Sequence, residues 1–321
     1  MCTALSYKSY AGRNLDVDRS YDEKVIIAPR NYPFDLKAAD SIRSHYAMIG
    51  MGALVDGYPL YFDAANEHGL YIAGLNFIGN AKCLPMAIGK INLAPYELIP
   101  YILSRCTSVS EAEYELKRIS LTDIPFRADM RLAELHFFIA DTRSAITVEP
   151  DSDGLKVYPN PVGVLTNNPP FPIQLFALNN YMSLSNDAPD NRFAPSLNLE
   201  RYSFGMGAIG LPGDLSSTSR FVRAAFHKHN SSGRDALADV MHLLSTVAMP
   251  QGSVRLGCRF ERTEYTSAVD LERLVYSYRM YESPNTYAVK MREENLAGQD
   301  LVCFDIKKEQ EPIYCNGPCR S

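Results

Sequence analysis

Tryptophan is absent from the 321 residues, so aromatic bulk must come from 20 Tyr and 14 Phe. Charge of one sign is also scarce: 32 Lys and Arg stand against 37 Asp and Glu, a net charge of −5. Such a surface has no general attraction for nucleic acid or anionic membranes, and neither is expected as a partner. No run is long and apolar enough to span a bilayer. The longest uncharged stretch, Val157 to Asn186, carries Pro159, Pro161, Pro169, Pro170 and Pro172 with several Asn, a backbone that hydrocarbon does not tolerate. Cysteine is sparse and odd in number: Cys2, Cys83, Cys106, Cys258, Cys303, Cys315 and Cys319. With no basic segment leading into an apolar one at the N-terminus, we expect no secretion signal, reduced thiols and a cytoplasmic protein.

What is present suffices for a large core. Hydrophobic residues make up 46% and charged residues 21%, which excludes disorder as the dominant state. A hairpin is expected at Thr3–Tyr7 and Tyr10–Asn14, with strands at Val25–Ala28, Tyr46–Leu54 and Leu70–Ala73. Helices are expected at Pro95–Cys106, where Pro100 must kink or crowd the helix, and after a capping box of Ser110 and Glu113 with Ala112, Leu116 and Ile119 on its apolar face. Strands return at Leu135–Ala140, Ala145–Glu149, Leu155–Tyr158 and Gly163–Leu165. Residues Asn186 to Asp214 read as loop. Helices follow at Thr218–His229 and Arg234–Val247, then strands at Tyr265–Asp270, Leu274–Tyr278 and Tyr287–Lys290. Strands in runs with helices grouped between them argue for an α+β fold of antiparallel sheets covered by helices, one domain over residues 1–321 with a loose tail at 311–321.

Several motifs imitate chemistry. Gly205-Met-Gly207-Ala-Ile-Gly210 fits a dinucleotide pattern, but Leu211-Pro212-Gly213 follows where a helix must open. Asp16-Val-Asp18-Arg-Ser20-Tyr-Asp22 starts like a calcium loop, yet Tyr21 and Ile27 occupy the positions of the required Gly and Glu. The six histidines show no zinc spacing, and His136 in an apolar strand reads as a satisfied core residue. Cys315 and Cys319 have no second ligand pair near them in sequence, so no metal site is expected.

Cys2 directly after Met1 is the informative feature. Removal of Met1 leaves a cysteine whose own α-amine lies beside its thiol. A free α-amine titrates near ~7.7–8 and a thiol near ~8.5. One residue then supplies both nucleophile and base, without a histidine.

Met1-Cys2-Thr3-Ala4-Leu5 and Gly12-Arg13-Asn14-Leu15-Asp16 resemble the choloylglycine hydrolase family of N-terminal-nucleophile hydrolases, which contains bile salt hydrolases and penicillin V acylases. The resemblance continues in order through Pro29-Arg30-Asn31-Tyr32, Gly50-Met51-Gly52, Asn66-Glu67-His68-Gly69-Leu70, Ala73-Gly74-Leu75-Asn76-Phe77, Leu165-Thr166-Asn167-Asn168-Pro169, Leu211-Pro212-Gly213-Asp214 and Ser219-Arg220-Phe221. It implies a four-layered αββα sandwich. It also implies Cys2 as nucleophile, held by Arg13 and Asp16, with Asn167 and Asn76 as oxyanion groups and Arg220 as the remaining active-site arginine. The physics of each role is plain: amide donors stabilise a tetrahedral oxyanion, guanidinium charge favours thiolate, and a carboxylate orients an α-ammonium.

The resemblance further implies an apolar acyl pocket at Leu15, Val55, Phe62, Phe126 and Met130, positions that periodicity does not separate from core. It implies a homotetramer with the Asn186–Asp214 loop at an interface, and a conjugated bile salt as small-molecule substrate, with no metal or organic cofactor. Penicillin V is the alternative substrate, and Asn rather than Tyr at position 76 leans away from it. A catalytically weak bile-salt-binding relative is the other alternative. The chain departs from the family in one respect. Only residues 3–12 separate Cys2 from Arg13, so the first hairpin is shortened, and its register decides whether Arg13 faces Cys2.

Overall fold

A computed structural model describes residues 1–233 and 236–312. The candidate pair Cys315 and Cys319, all but two residues of the expected tail at 311–321 and the expected start of the second late helix at Arg234 lie outside the described residues. The chain opens on the expected hairpin, β1 (Cys2–Tyr7) and β2 (Tyr10–Val17), closed by Lys8 and Ser9 alone, with Lys8 at φ +53°. There follow β3 (Lys24–Ala28), β4 (Met48–Val55), β5 (Tyr58–Asn66), β6 (Tyr71–Asn76) and β7 (Ile91–Leu93). Helices α1 (Leu98–Leu103) and α2 (Val109–Leu116) precede β8 (Ile119–Leu121), β9 (Leu135–Ala140), β10 (Ala145–Asp151), β11 (Gly154–Pro159) and β12 (Val164–Leu165). Next come α3 (Phe171–Ala177), α4 (Ser217–Asn230) and α5 (Ala236–Ser245). The chain ends on β13 (Val254–Leu256), β14 (Arg259–Asp270), β15 (Val275–Met280), β16 (Tyr287–Lys290) and β17 (Val302–Asp305).

Among the described residues these strands build two antiparallel sheets and a small parallel pair. One sheet runs β12-β1-β2-β14-β15-β16, with β13 paired to β14. The other runs β11-β10-β9-β6-β5-β4-β3-β17, and β7 pairs with β8. Helices α4 and α5 lie on the first sheet, and α1 and α2 on the second. The order of layers is therefore helix, sheet, sheet, helix. One core cluster joins the two sheets and the α4–α5 layer, and holds Leu5, Ile49, Phe138, Phe221 and Tyr276. A second fills the space under α1 and α2, with Ile26, Ile72, Ile102 and Phe137. Strands buried on both sides explain why β1, β2 and β6 read as almost unbroken buried runs rather than as alternation.

Several boundaries differ from expectation. Strand β5 had no place in the pattern, because Pro59, Asp63, Ala64 and Ala65 carry little strand propensity; its partners β4 and β6 impose it. The segment expected to be helical from Pro95 opens as a 3-10 turn, Pro95–Glu97, and Pro100 sits in the first turn of α1, where no intrahelical N–H is required. The second helix starts two residues earlier than expected. Ser108, not Ser110, is its cap and accepts the Glu111 amide, and Ile119 belongs to β8. Ser-x-x-Glu occurs twice here, and burial of Val109 selects the first. Gly205 to Gly210 forms a loop with a single 3-10 turn at Met206–Ala208.

Candidate active site

The register of the first hairpin builds the site. Cys2 pairs with Leu15 and Ala4 with Arg13, so Cys2, Leu15 and Arg13 share one face, which looks towards the second sheet. The two-residue turn absorbs the shortening without a slip. Close approach of β2 to β14 requires Gly12: a Cβ there would lie 2.1 Å from the Ser267 carbonyl.

Arg13 is fully buried. Its Nη2 donates to Cys2 Sγ at 2.6 Å, and its Nη1 donates to the carbonyls of Phe62 (2.8 Å) and Gly74 (2.7 Å) on the second sheet. Burial opposes the charge, but Cys2, Tyr265, Asp63 and Tyr71 hold the guanidinium above its usual range. The cation cannot turn away from the sulfur without abandoning two carbonyls.

Asp16 lies on the opposite face of β2, towards the helices. Its Oδ1 accepts the Thr263 hydroxyl at 2.6 Å, and Oδ2 lies 3.7 Å from Arg220 Nη1. Oδ2 is buried and accepts no hydrogen bond among the described residues. Burial raises the Asp16 carboxyl above its ordinary range, while Arg220, the N-terminal ammonium and Thr263 work against that.

Arg220, from the first turn of α4, enters from the helix side. Nη1 donates to the Cys2 carbonyl and the Thr3 hydroxyl, both at 2.6 Å, and Nη2 donates to Asn167 Oδ1 at 2.8 Å. Burial lowers its basicity, and Asp16, Cys2 and Glu261 restore part of it.

Asn167 sits just beyond β12. Its Oδ1 also accepts the Cys2 backbone N–H at 2.8 Å. Two converging donors fix Oδ1, so Nδ2 must point the other way, where it donates to the Asn76 carbonyl at 2.7 Å. The Asn167 backbone is clamped as well: its N–H donates to the Ser217 hydroxyl and its carbonyl accepts Gln174 Nε2. With Met1 in place, the N-terminal ammonium donates to the Asp16 carbonyl at 2.6 Å and to Glu261 at 3.0 Å.

Cys2, Arg13, Asp16, Asn76, Asn167 and Arg220 are thus brought together by direct contacts, with Asn76 joined through its carbonyl. Among the expected pocket residues, Leu15 lies directly across from Cys2, and Phe62 gives its carbonyl to Arg13 and its ring to Tyr21 at 5.8 Å. Val55 ends β4, and the Arg127–Asp56 ion pair at 3.2 Å ties the loop carrying Phe126 and Met130 to that hairpin tip. The Phe126 ring packs on Tyr58 and Tyr96, at 5.8 and 5.2 Å, rather than on Cys2.

Sequence reasoning passed over Thr3, Asp63, Gln174, Ser217 and Thr263. Asp63 left a signal, a lone carboxylate within the run Tyr61-Phe62-Asp63-Ala64-Ala65. His136 is the satisfied core residue expected, bonded to Glu149 and the Thr166 carbonyl and stacked on Phe77.

Two antiparallel sheets between helical layers, with a cysteine at the start of a central strand, are the arrangement of the N-terminal-nucleophile hydrolases. Residues 2–304 match the family of linear amide C–N hydrolases, choloylglycine hydrolase family. The chain is 43% identical over 324 residues to a bile salt hydrolase/transferase of Lactiplantibacillus plantarum, covering 98% of this chain and all of that one. It is 34% identical over 322 residues to a bile salt hydrolase/transferase of Clostridium perfringens, covering 96% and 98%. A crystal structure of a variant of the conjugated bile acid hydrolase of Clostridium perfringens superposes with a TM-score of 0.92 at 33% identity, covering 98% of this chain and 100% of the other. The penicillin V acylase of Agrobacterium tumefaciens, at 20% identity and a TM-score of 0.74 over 98% of this chain and 94% of the other, shares the fold. The chain belongs to the choloylglycine hydrolase family and is an amidase of linear C–N bonds.

Proposed function

We propose that the chain hydrolyses the amide bond of glycine- or taurine-conjugated bile salts, with Cys2 as nucleophile. The observation that carries this reading is the Cys2 sulfur held by Arg13 at 2.6 Å in a chain alignable end to end with proteins named for bile salt hydrolysis. Loss of Met1 turns the Cys2 N–H into an amine beside the thiol. The Oδ2 of Asp16, which accepts no hydrogen bond among the described residues, is then the natural acceptor for the new ammonium.

The amine takes the thiol proton and the sulfur attacks the amide carbonyl, forming a C–S bond. Asn167 Nδ2, with one hydrogen already given to Asn76, offers its second to the oxyanion, and Asn76 supplies the other oxyanion donor. The amine product leaves carrying the proton, and the C–N bond breaks to a thioester. Water, deprotonated by the same α-amine, releases the free acid. No step calls on a metal or an organic cofactor.

Leu15 and Phe62 supply the acyl wall nearest the sulfur, with Val55, Phe126 and Met130 farther out. The exposed aromatic and aliphatic side chains of Phe193, Leu197, Leu199, Tyr202 and Phe204 support a homotetramer assembled through the 186–214 loop. The five described cysteines are all unpaired, which supports a reducing cytoplasm. The test is release of glycine or taurine from glycocholate and taurocholate, side by side with penicillin V. A higher kcat/KM for the bile salts is expected; a preference for penicillin V overturns the substrate and leaves the cysteine chemistry standing.

A further inference from the structure

A carboxylate that the chemistry above does not use is joined to the Arg13 neighbourhood through Ser267, which lies directly across from Arg13 and donates to that carboxylate. Asp63 on β5 is fully buried. Its Oδ1 accepts the Tyr265 hydroxyl at 2.6 Å, and its Oδ2 accepts Tyr276 at 2.9 Å, Ser267 at 3.1 Å and Tyr71 at 3.3 Å. Four hydroxyls from three other strands converge on one carboxyl, and three of them crowd Oδ2. Such a cage suits an acceptor and leaves little room for a proton. Burial raises the carboxyl above its ordinary range, while Arg13, Tyr265, Tyr276 and Ser267 work to keep it ionised.

A β-bulge makes the cage possible. Thr263 pairs with Asp16 and Tyr265 with Leu15, adjacent residues of β2 that face opposite ways. The extra residue, Glu264, lets Thr263 reach Asp16 on the helix side while Tyr265 reaches Asp63 between the sheets. Ser267, directly across from Arg13, shares the Tyr265 face.

We propose that Asp63 is a positioning residue for Cys2: its caged carboxylate is the counter-ion that holds Arg13 and sets how strongly the guanidinium acts on the sulfur. The charged and titratable groups facing it are Arg13 and Cys2 from the hairpin, Tyr71 from β6, Tyr265 from β14 and Tyr276 from β15. Arg13 and Arg220 are balanced by Asp63 and Asp16, so a neutral residue at 63 leaves the site with one positive charge in excess. That excess favours the thiolate and the unprotonated amine. The inference rests on Cys2 being the nucleophile.

The experiment is iodoacetamide labelling of Cys2 against pH, read by peptide mass, beside kcat and KM for glycocholate, on chains checked for cooperative unfolding. In Asp63→Asn the labelling midpoint is expected to fall by about one pH unit, the scale of one charge acting over several ångströms at a protein-like dielectric. The acid limb of kcat/KM should move with it, and kcat should fall with KM little changed. Asp63→Glu, which keeps the charge, should retain the wild-type midpoint while losing part of kcat. A folded Asp63→Asn chain with an unmoved midpoint overturns the proposal. If that chain does not fold, Ser267→Ala and Tyr276→Phe carry the test: each removes one donor that keeps Asp63 ionised, shifts the carboxyl towards its neutral form and should lower the midpoint in the direction of Asp63→Asn, and unmoved midpoints in both overturn it. If the wild-type chain leaves glycocholate intact, the substrate reading fails, whereas the labelling profiles still decide the role of Asp63.

Discussion

Arg13 Nη2 reaches Cys2 Sγ at 2.6 Å across a diagonal of the first hairpin, for Cys2 pairs with Leu15 and Arg13 with Ala4. The contact depends on parity. A one-residue slip of β2 would turn Arg13 to the helix side and bring Asn14 or Gly12 to face the second sheet. The two-residue turn at Lys8 and Ser9 sets that register, and the carbonyls of Phe62 and Gly74 hold the guanidinium within it.

Arg13→Lys should therefore be far from conservative. Lysine keeps the charge but loses the fork that serves sulfur and two carbonyls at once. Loss of one charge-assisted bond, about 1.5–3 kcal/mol, converts to a fall in kcat/KM of about 10- to 160-fold. Steady-state kinetics on glycocholate measure it; wild-type kcat/KM would remove Arg13 from the site's working parts.

Any residue retained ahead of Cys2 should abolish turnover, because it converts the amine to an amide with no basicity. Intact mass should show the active chain without Met1. An N-terminally tagged chain that hydrolyses substrate at the untagged rate would sink the α-amine as base.

Asn167→Ala removes the proposed oxyanion donor and the acceptor shared by Cys2 N–H and Arg220. A loss of about 10²–10³ in kcat is expected, with KM changed much less. Cys2→Ala, by contrast, should unfold at nearly the wild-type denaturant concentration and show no turnover. An unchanged kcat in the Asn167 variant would leave that residue only its structural bonds.

Lys228 offers a test of pH and stability outside the site. Burial brings its ammonium down from the usual 10.5 to about 8. In the unfolded chain the lysine keeps its proton up to about 10.5, in the folded chain only to about 8. Between those values unfolding takes up a proton, so this residue makes stability rise with pH there. Lys228→Met should raise the urea midpoint at pH 7 and flatten the rise between pH 8 and 10. The Val162 carbonyl that Lys228 bonds retains His229 Nε2 at 3.2 Å. An unaltered pH slope in the variant would refute the assignment.

The candidate nucleophile and its attendants were legible in the linear chain because their motifs, taken together and in order, resemble those of the family, whereas each residue read singly fits an ordinary structural role. Cys2 follows Met1 directly, and Arg13 and Asp16 follow within one hairpin. Asn167 and Arg220 were singled out by the resemblance of Leu165-Thr166-Asn167-Asn168-Pro169 and Ser219-Arg220-Phe221 to the family's motifs. The sheets were legible in part, through apolar runs broken by Asp56-Gly57 and His68-Gly69. Strand β5 was not, because Pro59 and the Ala64–Ala65 pair favour no strand and only pairing with β4 and β6 makes one. The choice between Ser108 and Ser110 as cap likewise waited on which residue the core buries.

Distance in sequence hid the rest. Asp63 meets Tyr265, Ser267 and Tyr276 from 202 to 213 residues away, and Thr263 meets Asp16 from 247. Hydroxyls and a carboxylate scattered over that length carry no periodicity and fit ordinary strands when read singly. Their roles depend on the register of β2 against β14 and on the bulge at Glu264, and register is set by the packing of whole sheets. The candidate for the reacting atom thus stood in the first two residues, while the electrostatic balance around it exists only once two sheets close on Arg13. A buried charge acquires its partners from the fold, since in the unfolded chain water serves every one of these groups equally well.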